Sequence, residues 1–120
     1  QNPGYTNSLG VAKINFANEH AVFLHDTPNK SLFSDSQRFF SSGCVRVQNI
    51  DDLIQWLLSS NKGWTRNKLE NILNIAHTTT VRMDEEIPIK IGYLTAWNDH
   101  GLVHFREDIY GKDPVKNMNR

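Results

Sequence analysis

The sequence predicts an α+β domain: mostly antiparallel β-structure, with two helices after a loop that carries the single cysteine. Three observations predict it. Apolar residues near the start recur with a period of two, Ala12, Ile14 and Phe16 alternating with Lys13 and Asn15. In the middle, Ile50, Leu53, Ile54, Leu57 and Leu58 fall at i, i+3, i+4, i+7 and i+8, one face of a helix. Near the end, "IPIKIGYLTAW" and "LVHFREDIY" flank the turn sequence "NDHG". No glycine-rich loop joins a strand to a helix, which excludes a doubly wound nucleotide-binding fold.

The elements follow in order from local chemistry. "QNPGYTNSL" carries Asn-Pro-Gly and Asn-Ser, so it reads as turns. The strand around Ile14 leads through "ANEH", a hairpin turn, into "AVFLH", a second strand that ends at His25. From Asp26 to Ser42 the chain is polar and irregular, and so long a loop in a compact domain commonly carries function. The first helix takes Asn49 or Asp51 as its cap, places Asp51 and Asp52 at its positive end, and is followed by Gly63. A second helix runs from a Thr65 cap through Leu69, Ile72, Leu73 and Ala76. "TTTVRM" reads as a further strand, which Pro88 keeps from continuing. The stretches around "NDHG" form a long hairpin that includes Tyr93 and Tyr110, and "GKDPVKNMNR" is a frayed tail. With no repeat, low-complexity tract or linker, residues 1–120 read as one domain.

Composition narrows the function classes. Hydrophobic residues make up 38% and aromatics 10%, which fits a globular protein. Thirteen basic residues balance thirteen acidic ones, so charge gives no ground for nucleic acid or an anionic membrane as partner. No apolar run reaches the roughly 18 residues of a membrane helix. One cysteine excludes an intramolecular disulfide and a multi-cysteine zinc site. His20, His77, His100 and His104 show neither HxH nor HExxH spacing, so they read as surface residues, and no metal or cofactor is expected.

Cys44 is the residue to explain. A lone cysteine is commonly an inert buried hydrophobe. Its flanks favour chemistry instead. Gly43 lets backbone amides approach a ligand, and a helix N-terminus and Arg46 nearby both favour thiolate over thiol. His25 stands at a strand end, and a loop that folds back brings the two into a Cys–His pair. Neighbours on a strand point to opposite faces, so a backbone carbonyl is expected to orient His25 rather than the Asp26 side chain.

These residues resemble a known family. His25, a spacer of fifteen residues (26–40), then Ser41, Ser42, Gly43, Cys44, Val45 and Arg46 match the signature of the L,D-transpeptidase (YkuD) catalytic domain. Ser42 stands where many members carry a second histidine. "FLHDTPNKSLF" with "SSGCVRV", and "IPIKIGYLTAW" with "REDIYGKD", resemble the large YcbB-type subgroup, which has serine there. The resemblance runs from about Asn2 to Asp113. It implies a β-rich catalytic domain with more strands on its N-terminal side, so the chain is expected to be a fragment of a longer protein exported to the periplasm or cell envelope.

The resemblance also implies the reaction. Cys44 attacks the third-residue carbonyl of a peptidoglycan tetrapeptide stem, terminal D-alanine leaves, and an amine of a second stem accepts the acyl group in a 3→3 cross-link. It further implies carbapenems as covalent inhibitors at Cys44. The residue types suit these steps. A thiol of ordinary pKa about 8.5 needs His25 as base, and the same imidazole returns the proton to the leaving amine. Backbone N–H groups of Gly43 and Cys44 suit the oxyanion. Arg46 binds a substrate carboxylate or braces the loop. Ser41, Ser42 and Phe23 are the remaining candidates for substrate contact; Phe23 shares a strand face with His25, and reads equally as cleft lining or as packing.

Other residues have plainer readings. Trp64 and Trp97 read as packing, and Trp56 as partly exposed at the edge of its helix. "NKSLFSDSQRFF" reads either as a lid or as a static loop pinned by Leu32, Phe33, Phe39 and Phe40. Two functions compete with transpeptidation: a cysteine carboxypeptidase with water as acceptor, and a non-catalytic wall-binding domain.

Overall fold

In the computed structural model, residues 2–4, 6–75 and 77–114 are described. They fall into two units, Gln1–Ile87 and Pro88–Arg120. The α+β class holds: the first unit carries a three-stranded sheet and two helices, the second a two-stranded sheet.

The alternation around Ile14 becomes β1 (Lys13–Asn15), which pairs antiparallel with β2 (Phe23–His25), Lys13 opposite His25 and Asn15 opposite Phe23. Asn18 organises the turn between them. Its amide donates to the carbonyls of Phe16 and Val22, and its oxygen accepts from the N–H groups of His20 and Val22. A third strand, β3 (Val45–Arg46), lies parallel against β2, Val45 opposite Leu24 and Arg46 opposite His25. Two residues are too few to leave a periodicity, so this strand is invisible in sequence. The long loop before it contains a 3₁₀ turn at Lys30–Ser34 and is braced by Arg38, which donates to the carbonyls of Phe33 and Asp35. Leu32 and Phe33 are half-buried, whereas Phe39 and Phe40 are exposed and stack on each other, centroids 6.0 Å apart.

Helices α1 (Ile50–Leu57) and α2 (Arg66–Asn74) form as the 3.6 period predicts. The buried apolar side chains among the described residues, Ile50, Leu58 and Leu69, come from these helices and the residue ending α1. Thr65 caps α2 by accepting from the Lys68 N–H at 3.2 Å. Asn49 occupies the cap position of α1, but its backbone is left-handed, φ 52°, and its side chain makes no capping bond. Arg66 spans to Asp52 (2.9 Å) and Asp51 (3.2 Å) at the start of α1. These pairs are exposed, so they add little to stability. Ala76, expected on the α2 face, lies outside the described residues, as does the tail from Val115 on.

Three expected extended segments differ. "TTTVRM" forms no strand. It has no partner edge, and the chain there is tied by side chains: Asn61 donates to the Arg82 carbonyl and accepts from the Asp84 N–H, while Asp84 accepts from the Lys62 N–H. In the second unit the hairpin is shorter than expected, β4 (Ala96–Asp99) and β5 (Leu102–Phe105). His100 and Gly101 both have positive φ, 48° and 85°, as a tight primed turn requires. Tyr93 and Tyr110 lie outside the strands; the Tyr93 hydroxyl donates to Asp108 at 2.7 Å and the two rings meet edge-on. Trp97 stacks on His104 within the hairpin, Trp64 donates to Gln55, and Trp56 is 60% exposed.

Because only one helix has a side-chain cap, the two cap positions respond differently. Thr65→Ala is expected to cost about 1 kcal/mol. Asn49→Gly, which suits left-handed backbone, should change stability by less than about 0.5 kcal/mol. Urea unfolding of the two variants checks the contrast.

Candidate active site

His25 ends the central strand of the three-stranded sheet and is 5% exposed. Its register partners are Lys13 on β1 and Arg46 on β3. Paired residues share a face and side chains alternate along a strand, so Lys13, His25 and Arg46 form one row on one side of the sheet. Phe23 lies on the same side, its ring edge-on to the His25 imidazole with centroids 5.7 Å apart. The Lys13 ammonium sits over the Phe23 ring, 5.2 Å from its centre. Cys44 immediately precedes β3, two residues before Arg46. The Val47 N–H donates to the His25 carbonyl at 2.8 Å, which ties the segment after the cysteine to the histidine strand. Cys44 is half-buried and unpaired with any other thiol.

The His25 ring is oriented as strand geometry requires. Its Nδ1 lies 2.5 Å from the Asp26 backbone carbonyl. A carbonyl only accepts, so Nδ1 carries the proton and the neutral ring keeps its lone pair on Nε2. The Asp26 side chain turns away. Its carboxylate accepts from Lys30 and from the Val11 N–H, the latter at 3.0 Å, while the Asp26 N–H donates to Ala12. Burial alone would raise this carboxyl, but the hydrogen bonds from Lys30, Val11 and Thr27 outweigh it, and its pKa lies below the ordinary value of 3.8. A cavity of about 540 Å³ lies on the Asp26–Lys30 side, lined also by Val11, Asn49 and Leu73; its lining includes neither His25 nor Cys44.

The cysteine loop is bound to itself. Ser41 donates its hydroxyl to the Cys44 carbonyl at 2.6 Å and accepts from the Gly43 N–H at 3.2 Å. The Gly43 N–H, expected to face an oxyanion, thus points at Ser41 in this state, and Ser41, expected to touch substrate, braces the loop. Gly43 is required on two counts: φ is 147°, and a Cβ there would stand 2.8 Å from the Val22 side chain. Ser42 is exposed. The Arg46 guanidinium, half-buried, has no hydrogen bond or ion pair among the described residues. No group of three metal-ligating side chains exists among them. The sequence reading missed Lys13, which looks like an ordinary exposed strand residue until pairing sets it beside His25, and Lys30, whose partner is four residues away in a loop.

An α+β domain with an oriented histidine at a strand end and a cysteine just before the neighbouring strand is a form suited to thiol-based acyl transfer. The sequence profile of the L,D-transpeptidase catalytic domain (YkuD) matches residues 1–91. The chain belongs to that family. It is also 39% identical over 111 residues to a Haemophilus influenzae (strain Rd) protein named "Putative L,D-transpeptidase". The match covers 92% of this chain but 22% of that protein, so the chain spans about a fifth of its relative's length.

The Asp26 cluster gives the fold an acid-sensitive point. Its folded pKa is depressed, so the stability it contributes is complete above the unfolded value of about 3.9 and is lost as pH falls through the lower folded value. Urea unfolding between pH 6 and pH 3 should show wild type losing stability below about pH 4, with a smaller acid loss in Asp26→Asn.

Proposed function

We propose that this chain is the acyl-transfer domain of a peptidoglycan L,D-transpeptidase, with Cys44 as nucleophile and His25 as its base and acid. The observation that supports the reading best is the β2–β3 register, which pairs His25 with Arg46, two residues after Cys44. Family membership supplies the substrate class. His25 Nε2 takes the thiol proton, and the resulting imidazolium stays anchored to the Asp26 carbonyl through Nδ1–H. The Cys44 sulfur then attacks the third-residue carbonyl of a tetrapeptide stem. The C–N bond to terminal D-alanine breaks as Nε2–H protonates the leaving amine. The incoming amine of a second stem gives a proton to Nε2 as it displaces the sulfur, forming the 3→3 cross-link, and Nε2–H passes that proton to the departing thiolate to restore the thiol.

Arg46 and Lys13 flank the histidine as cations, a setting for the carboxylates that such stems carry. That the Arg46 guanidinium has no partner among the described residues favours carboxylate binding over loop bracing, the bracing being done by Ser41. The oxyanion takes the Cys44 N–H, and the Gly43 N–H once the Ser41 hydroxyl yields it. Peptidoglycan lies outside the cytoplasmic membrane, so this reading makes the whole protein an exported one.

Intact-mass spectrometry with a carbapenem tests the site. Wild type is expected to gain one adduct as the thiolate opens the β-lactam, and Cys44→Ala none. An equal adduct on Cys44→Ala, or none on folded wild type, overturns the nucleophile assignment. With tetrapeptide stems, cross-linked product marks the transpeptidase, whereas tripeptide alone marks the carboxypeptidase.

A further inference from the structure

We propose that Asp26 is a positioning residue for this chemistry: its clamped carboxylate fixes the carbonyl that holds His25 in the Nδ1–H tautomer. The inference rests on the reading of His25 as base, but its geometry stands apart from the cysteine. The Asp26 carbonyl accepts from His25 Nδ1 at 2.5 Å, and that carbonyl belongs to the residue whose other groups are all held. The Asp26 N–H donates to Ala12 at 2.9 Å, one carboxylate oxygen accepts from the Val11 N–H at 3.0 Å, and the other accepts from Lys30. The Asp26 side chain is 5% exposed while that of Lys30 is 55% exposed, so a buried anion is tethered by a half-solvated cation.

Gly10 completes the clamp. Its φ is +63°, and a Cβ on it would overlap the Asp26 carboxyl, so glycine lets the backbone at 10–11 close over the carboxylate and aim the Val11 N–H at it. The neighbouring turn holds that backbone in place through Gly10 N–H to Asn7 and Gly4 N–H to Gly10. The carboxylate stays ionised through the neutral range because its hydrogen bonds outweigh the burial penalty. The whole arrangement fixes the direction of one peptide carbonyl at the end of β2. Freed from that carbonyl, an imidazole side chain favours the opposite tautomer, with its proton on Nε2, and cannot accept from a thiol there. Asp26 thus acts through the backbone on the availability of Nε2, and touches no substrate.

The test reads the tautomer directly. Ring ¹⁵N signals of His25 in histidine-labelled protein, assigned by comparison with His25→Ala, should show the Nδ1–H form in wild type. In Asp26→Asn the amide cannot satisfy both Val11 N–H and Lys30, and the Nε2–H form should appear. Cys44 alkylation at pH 7 in the folded variant should fall at least about tenfold. Should Asp26→Asn fail to fold, Lys30→Met removes only the half-exposed partner and should shift the tautomer in the same direction, by less. A folded Asp26→Asn, or in its place Lys30→Met, that keeps the wild-type ¹⁵N pattern and alkylates within about twofold of wild type overturns the proposal. If wild-type Cys44 itself proves unreactive, the functional reading fails, and the ¹⁵N comparison still decides the role of Asp26.

Discussion

The two-residue pairing of β3 with β2 is the constraint on which the site depends. His25 sits at the end of one strand and Cys44 just before the other, with the irregular loop from Asp26 to Ser42 between them. Loop closure alone leaves the two residues in many relative orientations. Parallel pairing removes that freedom, because matching Val45 to Leu24 and Arg46 to His25 settles which side chains share a side. A slip of one residue would turn Arg46 to the opposite side from the histidine. The bond from the Val47 N–H to the His25 carbonyl holds this register from its far end.

Around that pairing, small residues and backbone groups fix what side chains alone would leave loose. Gly43 passes Val22 where a Cβ would not fit, and Ser41 closes the turn onto the Cys44 carbonyl. On the far side of the sheet strand, Gly10 lets the chain settle on Asp26. Both glycines have positive φ, which glycine adopts without steric cost, and both lie against the segments that carry His25 and Cys44. The helices contribute the apolar core, and Arg66 binds the start of one to the start of the other.

Much of this was legible in the sequence, for identifiable reasons. The β1–β2 hairpin and both helices announce themselves by periodicity, and Thr65 by its position before an amphipathic run. Strand alternation set aside the Asp26 side chain and the family resemblance also suggested a backbone carbonyl as the partner of His25, and the structure has that bond. The His25–Cys44 spacing and the residues around the cysteine carried the family, which the profile match shows. What stayed hidden was set by pairing across the chain. β3 is too short to have a pattern, and Lys13 gains its place beside His25 only through register. "TTTVRM" failed as a strand because β-propensity needs an edge to pair with, and Asn61 and Asp84 satisfied that backbone instead. The bond from the Gly43 amide to Ser41 also stayed hidden, a contact that residue types do not foretell.

The central claim is that His25 activates Cys44. The most direct measurement is the rate of Cys44 alkylation as a function of pH in wild type and in His25→Ala. The account predicts that wild type reacts well below pH 8, and that His25→Ala moves the profile up toward the ordinary thiol value of about 8.5. Coincident profiles for the two folded proteins would contradict it.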